Sequence, residues 1–207
     1  LVGSVSSVYE TGADQVGQRS FFLSLHGLQA RLDGGASIGE IFDQADNMTL
    51  AQGALAILLA IGAGDAAAAR FHDRWNADRL VMDKWFALQA GLAPPQSAVD
   101  VVESLTSHPL FDLKNPNRFR SLIGAFAGNT AGFHRADGAG YNLFADWLIR
   151  LDPINPQTTA RMTTAFQNWR RYDADRQGLM RQAMARIAGT PDLSRDTGEM
   201  IARLLDG

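Results

Sequence analysis

Two stretches of the sequence place arginines on the early turns of a predicted helix that follows an Asn-Pro pair. The first, "NPNRFRSLIGAF" (Asn115–Phe126), carries Arg118 and Arg120. The second, "NPQTTARMTTAF" (Asn155–Phe166), follows forty positions later and carries Arg161. A guanidinium is planar and can bind a carboxylate through two parallel hydrogen bonds. The pattern indicates either points that hold an anion beside a site or helix starts in a repeat scaffold.

The sequence contains no set of residues that would form a hydrolytic or metal centre by itself. It has no Gly-x-Ser-x-Gly elbow, no phosphate loop and no His-x-x-x-His pair that could bind zinc from one helix face. His134, in "FHRADGAGY", lies beside Arg135 and Asp137, where an acid–base role is conceivable. We expect instead a loop histidine that is satisfied by nearby backbone.

A glycine-rich stretch, "GAGDAA" (Gly62–Ala67), loosely matches the dinucleotide fingerprint. That fingerprint requires a preceding strand and a phosphate at the start of the following helix. The run before Gly62 is rich in Ala and Leu and is longer than a strand. We therefore predict a turn between two helices and no cofactor in this chain.

Composition excludes several classes of protein. A net charge of −3 argues against a general phosphate-binding protein, whose surface is basic. The absence of cysteine excludes a disulfide scaffold and a thiolate zinc site and fits a reducing cytoplasm. We see no signal peptide, and the longest apolar run, Leu50–Ile61, is shorter than the ~20 residues that cross a bilayer. We expect a cytoplasmic protein without a membrane partner.

Arginines are frequent near the C-terminus, at positions Arg161, Arg170, Arg171, Arg176, Arg181 and Arg186. Nucleic-acid binding would need a basic patch with interleaved aromatic side chains. The aromatic residues in this region lie at core spacing, and Asp173 and Asp175 dilute the positive charge. We expect a solvated or domain-facing helix surface and no nucleic-acid partner.

Apolar residues recur with helical spacing along nearly the whole chain, which predicts an all-α fold. Besides the two helices that follow Asn-Pro, we expect helices at Leu50–Gly62, Asp65–Asn76, Asp78–Ala90, Gln96–Thr106, Asp173–Ala188 and Ser194–Leu205. Asp46 or Asn47 would cap the first of these. The side chains predicted to face inward on the second and third are Phe71, Trp75, Val81, Trp85 and Leu88.

The two Asn-Pro helices each present an apolar stripe. In the first, the stripe consists of Phe119, Leu122, Ile123 and Phe126, with Arg118 and Arg120 on opposite flanks. In the second, it consists of Met162, Phe166 and Trp169, while Gln157 and Arg161 share another face one turn apart. Helical-pair repeats of about 40 to 47 residues are typical of HEAT and armadillo arrays. We therefore predict stacked helical pairs in a solenoid-like arrangement, with residues 1–207 as a single domain.

Several ordered motifs resemble a known family. They are "TGADQVGQRS", "ADNMT", "LVMDKWFALQA", "HPLFDLKNPNRFRSLIGAFAGN", "FHRADGAGY", "NPQTTARM" and "WRRYDADRQGLM". Together they resemble the C-terminal helical domain of bacterial aminopeptidase N, from about Val8 to the C-terminus and most densely between Leu80 and Met180. The resemblance implies that the chain is most of the last domain of a longer enzyme.

The resemblance also implies an activity for the parent protein. Family members are zinc-dependent aminopeptidases that remove N-terminal residues from peptides; the zinc polarises the scissile carbonyl and activates water. Their His-Glu-x-x-His and Gly-x-Met-Glu-Asn motifs lie in an earlier domain, and neither occurs here. This chain would close over the active site and would be inactive alone. Its expected partners are the catalytic domain of the same polypeptide and peptide substrates.

By the same resemblance, three residues are candidates for contact with substrate. Gln157 matches a glutamine that reaches into the pocket for the first side chain of the substrate. Arg161 matches an arginine on the primed side, and Arg120 matches one near the internal channel. The alternative for all three is that they cap or bridge neighbouring helices. The alternative for the whole chain is a free-standing helical-repeat module that binds a peptide or protein.

Overall fold

The computed structural model describes residues 13–206, and it contains no β-strand within them. The first five residues of the family resemblance, 8–12, lie outside this range. Contacts between residues divide the chain into two compact units, Leu1–Ala77 and Asp78–Gly207. None of the described helices is both long and apolar enough to cross a membrane. The expectation of one domain over residues 1–207 stays a prediction.

The first unit consists of four described helices: α1 (Ala13–Asp33), α2 (Ala36–Gln44), α3 (Met48–Ala60) and α4 (Asp65–Trp75). Helix α3 is the buried helix predicted from its apolar run. The side chain of Asn47 caps it and accepts a hydrogen bond from the backbone N–H of Leu50 at 3.0 Å. The first three residues of "GAGDAA", 62–64, lie in the predicted turn between α3 and α4, and Asp65 begins α4.

The second unit contains the remaining described helices. They are α5 (Arg79–Leu92), α6 (Ala98–Thr106), α7 (Pro116–Phe119), a π turn (Arg120–Gly124), α8 (Ala125–Gly128), α9 (Thr130–Phe133), α10 (Ala139–Leu151), α11 (Pro156–Met162), two 3₁₀ turns (Thr163–Phe166 and Trp169–Arg171), α12 (Ala174–Ala188) and α13 (Arg195–Asp206). Within this unit α10 packs against α12, and α11 packs against α13.

Both Asn-Pro pairs begin helices, as predicted. The Asn115 side chain accepts hydrogen bonds from the backbone N–H groups of Asn117 and Arg118, at 3.1 and 3.3 Å. The Asn155 side chain accepts one from Thr158 N–H at 3.0 Å. In each case the proline follows at the first helical position, where its missing N–H has no consequence.

The first Asn-Pro helix is not a regular α-helix throughout. The predicted stripe is confirmed, because Phe119, Leu122, Ile123 and Phe126 are fully buried. A π turn nevertheless interrupts the helix between Arg120 and Gly124. Such a turn inserts an extra residue into the hydrogen-bond ladder, and π turns occur frequently at functional sites.

The second Asn-Pro helix is shorter than predicted. It ends at Met162, which is half-buried, and a 3₁₀ turn carries Phe166 into the core. The hydroxyls of Thr163 and Thr164 donate to the carbonyls of Ala160 and Arg161, at 2.6 and 2.8 Å. Because these side chains compete for the carbonyls of the last turn, the helix tightens and stops.

The inward face of α5 is rotated from the prediction. Phe71, Val81 and Trp85 are buried as expected, whereas Trp75 and Leu88 are only half-buried. Met82 and Phe86 take the most buried positions on α5 instead. The error is one of helix phase, since Met82 and Phe86 lie one turn apart on a face beside the predicted one.

Candidate functional site

Gln157 and Arg161 lie one turn apart on α11, and both side chains are exposed. Neither side chain forms a hydrogen bond or an ion pair with another described residue. The Asn155 cap and the buried residues Thr159 and Ala160 hold the opposite side of the helix. The two polar side chains are therefore available to a ligand and do not bridge neighbouring helices among the described residues.

Arg120 is the first residue of the π turn, and it is also exposed. Its guanidinium Nε donates to the carbonyl of Pro116 at 3.2 Å, and Nη2 donates to Asn117 Oδ1 at 2.6 Å. Both partners belong to its own helix. These bonds therefore do not link Arg120 to a neighbouring helix, and they orient its guanidinium on its own helix.

The two Asn-Pro helices meet at Gly124. A Cβ atom added to this glycine would lie 3.7 Å from Arg120 Cβ and 3.7 Å from Met162 Cε. The stem of Arg120 and the side chain of Met162, the residue that follows Arg161, thus both lie next to Gly124. The structure brings Arg120 and α11 to the same part of the second unit.

Concave sites are present elsewhere among the described residues. Two of them, of about 400 and about 170 Å³, are in the first unit and share Asp43 and Arg70, which form an ion pair at 2.9 Å. Gln157, Arg161 and Arg120 line neither of them. The three predicted side chains are exposed at the surface of the second unit.

Arg118, predicted as a flanking residue, is buried. Its Nε donates to Asp83 Oδ1 at 2.6 Å, its Nη1 to the carbonyl of Leu110 at 2.5 Å, and its guanidinium lies 4.8 Å from the ring centre of Phe86. Arg118 therefore fixes α7 against α5 and cannot face a ligand. Local spacing could not predict this ion pair, because Asp83 lies 35 positions away.

His134 is bonded to side chains and not to nearby backbone, so that prediction was wrong. Its Nδ1 lies 3.0 Å from the Tyr141 hydroxyl, and its Nε2 lies 2.8 Å from the Tyr172 hydroxyl. Its ring stacks on that of Tyr172 with centroids 4.2 Å apart, and its backbone carbonyl accepts from Arg176 Nε at 2.7 Å. Sequence reasoning missed the two tyrosines, although both lie in motifs that carry the family resemblance.

The environment of His134 favours its neutral form. Burial lowers the pKa of His134, and the positive charge of Arg176 lowers it further. Burial raises the pKa of Tyr141 to about 12, so the phenol keeps its proton. A neutral imidazole has one donor and one acceptor, which two protonated hydroxyls can satisfy together. The cluster is suited to holding α10 and α12 together and not to transferring protons.

Several C-terminal arginines bond within the fold. Arg170 donates to the carbonyls of Leu204 and Leu205, at 3.0 and 2.8 Å. Arg186 donates to Asp146 Oδ1 at 2.6 Å and to the carbonyl of Asn142. These two arginines stabilise the packing of the last helices. Part of the basic charge in this region therefore has a structural role.

Metal-ligating side chains are dispersed in the described part of the chain. Residues 13–206 contain no group of three His, Asp or Glu side chains that could hold a metal ion. The described residues therefore do not fit a catalytic zinc, and no step of a reaction is assigned to them through a metal.

Comparison with known proteins shows where the chain belongs. A family model described as a domain of unknown function (DUF3458_C) with ARM repeats matches residues 3–206. The chain belongs to this ARM-repeat family. The match confirms the predicted all-α, armadillo-like class, and the described residues of this family member contain helices and no strands.

Relatives of this ARM-repeat chain include bacterial aminopeptidases N. The chain is 42% identical to aminopeptidase N of Haemophilus influenzae over 167 residues, 79% of this chain and 19% of the relative. It is 42% identical to that of Escherichia coli K12 over 171 residues, 81% and 20% respectively. The predicted resemblance to the C-terminal region of aminopeptidase N is confirmed. The chain spans about a fifth of the length of these relatives.

A solved structure gives the same result. The crystal structure of Legionella pneumophila aminopeptidase A in complex with aspartic acid superposes with a TM-score of 0.88 at 32% sequence identity. The match covers 94% of this chain and 23% of that protein. The ARM-repeat chain thus corresponds to one part of a much longer aminopeptidase.

Proposed function

We propose that this chain is the C-terminal accessory domain of a zinc-dependent aminopeptidase that removes N-terminal residues from peptides. The observation that carries the proposal is the 42% identity to aminopeptidase N over about four-fifths of the chain. Its partners are then the catalytic domain of the same polypeptide and the peptide substrate. We place the enzyme in the cytoplasm, in agreement with the absence of cysteine.

In this proposal the zinc ligands and the general base belong to another part of the polypeptide. The described residues hold no metal-binding group, so this chain contributes shape and polar contacts to the active site. The domain closes over the site and limits access to short peptides and unfolded N-termini. Alone it has no peptidase activity.

Gln157, Arg161 and Arg120 are the residues that we propose for substrate contact. Gln157 and Arg161 are exposed, lie one turn apart and have no partner among the described residues, so no internal bond must break before they bind a ligand. Arg120 is held nearby by its own helix. The departing peptide presents carbonyls and a carboxylate, and a guanidinium can bind a carboxylate with two hydrogen bonds.

Arg161→Ala in the full-length enzyme tests the primed-side role. We expect kcat/KM to fall more for peptides than for single-residue anilides, since an anilide has no amino acid beyond the scissile bond. Arg171→Ala is the matched control, because Arg171 is also an exposed arginine of this unit. Equal losses on peptides and anilides, or an equal effect of the control, would contradict a role for Arg161 on the primed side.

Gln157→Ala tests the pocket for the first side chain. We expect the variant to change the ranking of kcat/KM among anilides that differ in their first residue, because the amide contacts that side chain. Arg161→Ala should keep the ranking. An unchanged ranking in Gln157→Ala would remove Gln157 from the pocket and leave the assignment of Arg161 intact.

A further inference from the structure

Helix α1 carries apolar side chains on two opposite faces. Its inner face packs on α3: a Cβ atom at Gly53 would lie 2.5 Å from Leu23 Cδ1, and one at Gly27 would lie 3.8 Å from Ile57 Cδ1. Ala30, on the same inner face, is fully buried. These contacts account for the inner face of the helix.

The outer face of α1 is also apolar, and it is exposed. Phe21, Leu25, Leu28 and Leu32 have exposed fractions of 66, 50, 64 and 90%. Their spacing of four, three and four residues places them in one row along the helix, which we call the outer stripe. Single exposed apolar side chains are ordinary, but an aligned row of four large ones is typical of an interaction surface.

We propose that the outer stripe is the stacking face for an apolar helix of a preceding ARM-type repeat in the same polypeptide. Repeats in such arrays bury their apolar faces against the neighbouring repeat, and the repeat at the end of an array needs a polar outer face. The outer stripe of α1 is apolar instead. The chain spans about a fifth of its aminopeptidase N relatives, so a longer protein of that kind has ample chain to supply the neighbour.

The length of the outer stripe favours a stacked repeat over a dimer of this chain. The stripe runs from Phe21 to Leu32, less than two heptads, whereas a coiled coil is indicated by three to four heptads or more. A helix with apolar side chains on two opposite faces can pack against one layer on each side, as α1 already does against α3 on its inner face. An inner repeat of a solenoid has that environment.

A photo-crosslinker placed at Leu28 tests the proposal in the full-length polypeptide expressed from its own gene. We would incorporate p-benzoylphenylalanine at Leu28 and, as a control, at Ser20, an exposed polar position of the same helix outside the stripe. After irradiation, digestion and mass spectrometry would locate the crosslinked peptides. We expect the Leu28 probe to join a segment that precedes this chain within the same polypeptide, and the Ser20 probe to give much less of that product.

Three outcomes would overturn the proposal: crosslinks that join two copies of the polypeptide, equal products from Leu28 and Ser20, or no crosslink at Leu28.

A second measurement compares the thermal midpoints of Leu28→Glu and Ser20→Glu in the same polypeptide. A buried stripe predicts a lower midpoint for Leu28→Glu, and equal midpoints would count against burial. The inference shares with the proposed function only the longer polypeptide, and crosslinking does not depend on peptidase activity, so either can fail without the other.

Discussion

At the scale of single residues, His134 shows how the second unit is held together. The imidazole lies between the hydroxyls of Tyr141 and Tyr172, and the backbone carbonyl of His134 accepts from Arg176 Nε. These partners come from α10, from the segment before α12 and from α12 itself. A single residue therefore joins three parts of the chain, and the protonation of its side chain is coupled to the packing of the two tyrosines.

The stability of the second unit should depend on pH through His134. Since the folded pKa lies below the usual value of about 6.5, the unfolded chain binds the proton more readily. The contribution is present above about pH 6.5 and is lost as the pH falls towards the folded pKa. We expect the free energy of unfolding in urea to fall over this interval, and to fall less in His134→Gln.

His72→Gln, on α4 of the first unit, is the matched control for that measurement. It retains His134 and should keep the pH dependence that His134 contributes. If wild type and His134→Gln lose stability equally below about pH 6.5, the electrostatic environment assigned to His134 is wrong.

Trp169 is the second residue whose replacement has a clear expected cost. It is buried, and its indole N–H donates to the carbonyl of Leu204 at 2.9 Å. Trp169→Ala should lower the free energy of unfolding by about 3–5 kcal/mol, because it empties a core position. Arg170 also donates to that carbonyl, so the carbonyl is not left without a partner.

Urea unfolding measures this cost, with Arg171→Ala as the control, which should stay within about 0.5 kcal/mol of wild type. The same limit should hold for Arg161→Ala, since its exposed side chain has no partner among the described residues. A silent Trp169→Ala would contradict the placement of the last helices.

At the scale of helices, two glycines of the second unit differ in what they permit. Gly178 lies inside α12, and a Cβ atom there would meet nothing within 4 Å. Gly140 lies at the start of α10, and a Cβ atom there would lie 2.4 Å from the carbonyl oxygen of Phe133. Gly178 weakens α12, because glycine has a low helix propensity. Gly140 allows the start of α10 to approach the backbone of Phe133 closely.

Replacing each glycine by alanine should therefore change stability in opposite directions. Gly178→Ala should raise the free energy of unfolding by about 0.5–1 kcal/mol, because alanine has the higher helix propensity. Gly140→Ala should lower it by about 1–3 kcal/mol, because the methyl group displaces the Phe133 carbonyl. Urea unfolding of both variants measures the difference, and effects of the same sign would contradict the packing at one of the two sites.

The sequence predicts helices well and their interruptions poorly. The stripe Phe119 to Phe126 follows from local spacing and is buried as predicted, but that spacing does not reveal the π turn beneath it. The early end of α11 depends on which carbonyls the hydroxyls of Thr163 and Thr164 reach. The periodicity of apolar residues does not predict these hydrogen bonds or the π turn.

Local sequence patterns also fail to predict which residues of the candidate site are exposed. The resemblance predicted Gln157, Arg161 and Arg120, and the structure shows that all three are exposed. Arg118 looked equivalent to Arg120 in the sequence, yet it is buried on Asp83, 35 positions away. A long-range ion pair decides which arginine remains available to a ligand, and that pairing cannot be inferred from the arginine-containing motif alone.

At the scale of the whole molecule, the chain has the features of one part of a larger protein. It belongs to an ARM-repeat family, it spans about a fifth of its aminopeptidase N relatives, and its described residues hold no metal-binding group. Two of its surfaces have no partner among the described residues. They are the exposed outer stripe of α1 and the exposed side chains of Gln157 and Arg161. Both would acquire partners in an aminopeptidase of which this chain is the C-terminal domain.

The most direct test of this account is the mass of the natural protein, together with its activity. An antibody raised against this chain would detect the protein in fractionated extract of its source cells, and aminopeptidase activity would be measured in the same fractions with and without a chelator. We predict a species several times heavier than 22.4 kDa that co-fractionates with chelator-sensitive activity. A species of 22.4 kDa without activity would contradict the account and would favour a free-standing helical-repeat module.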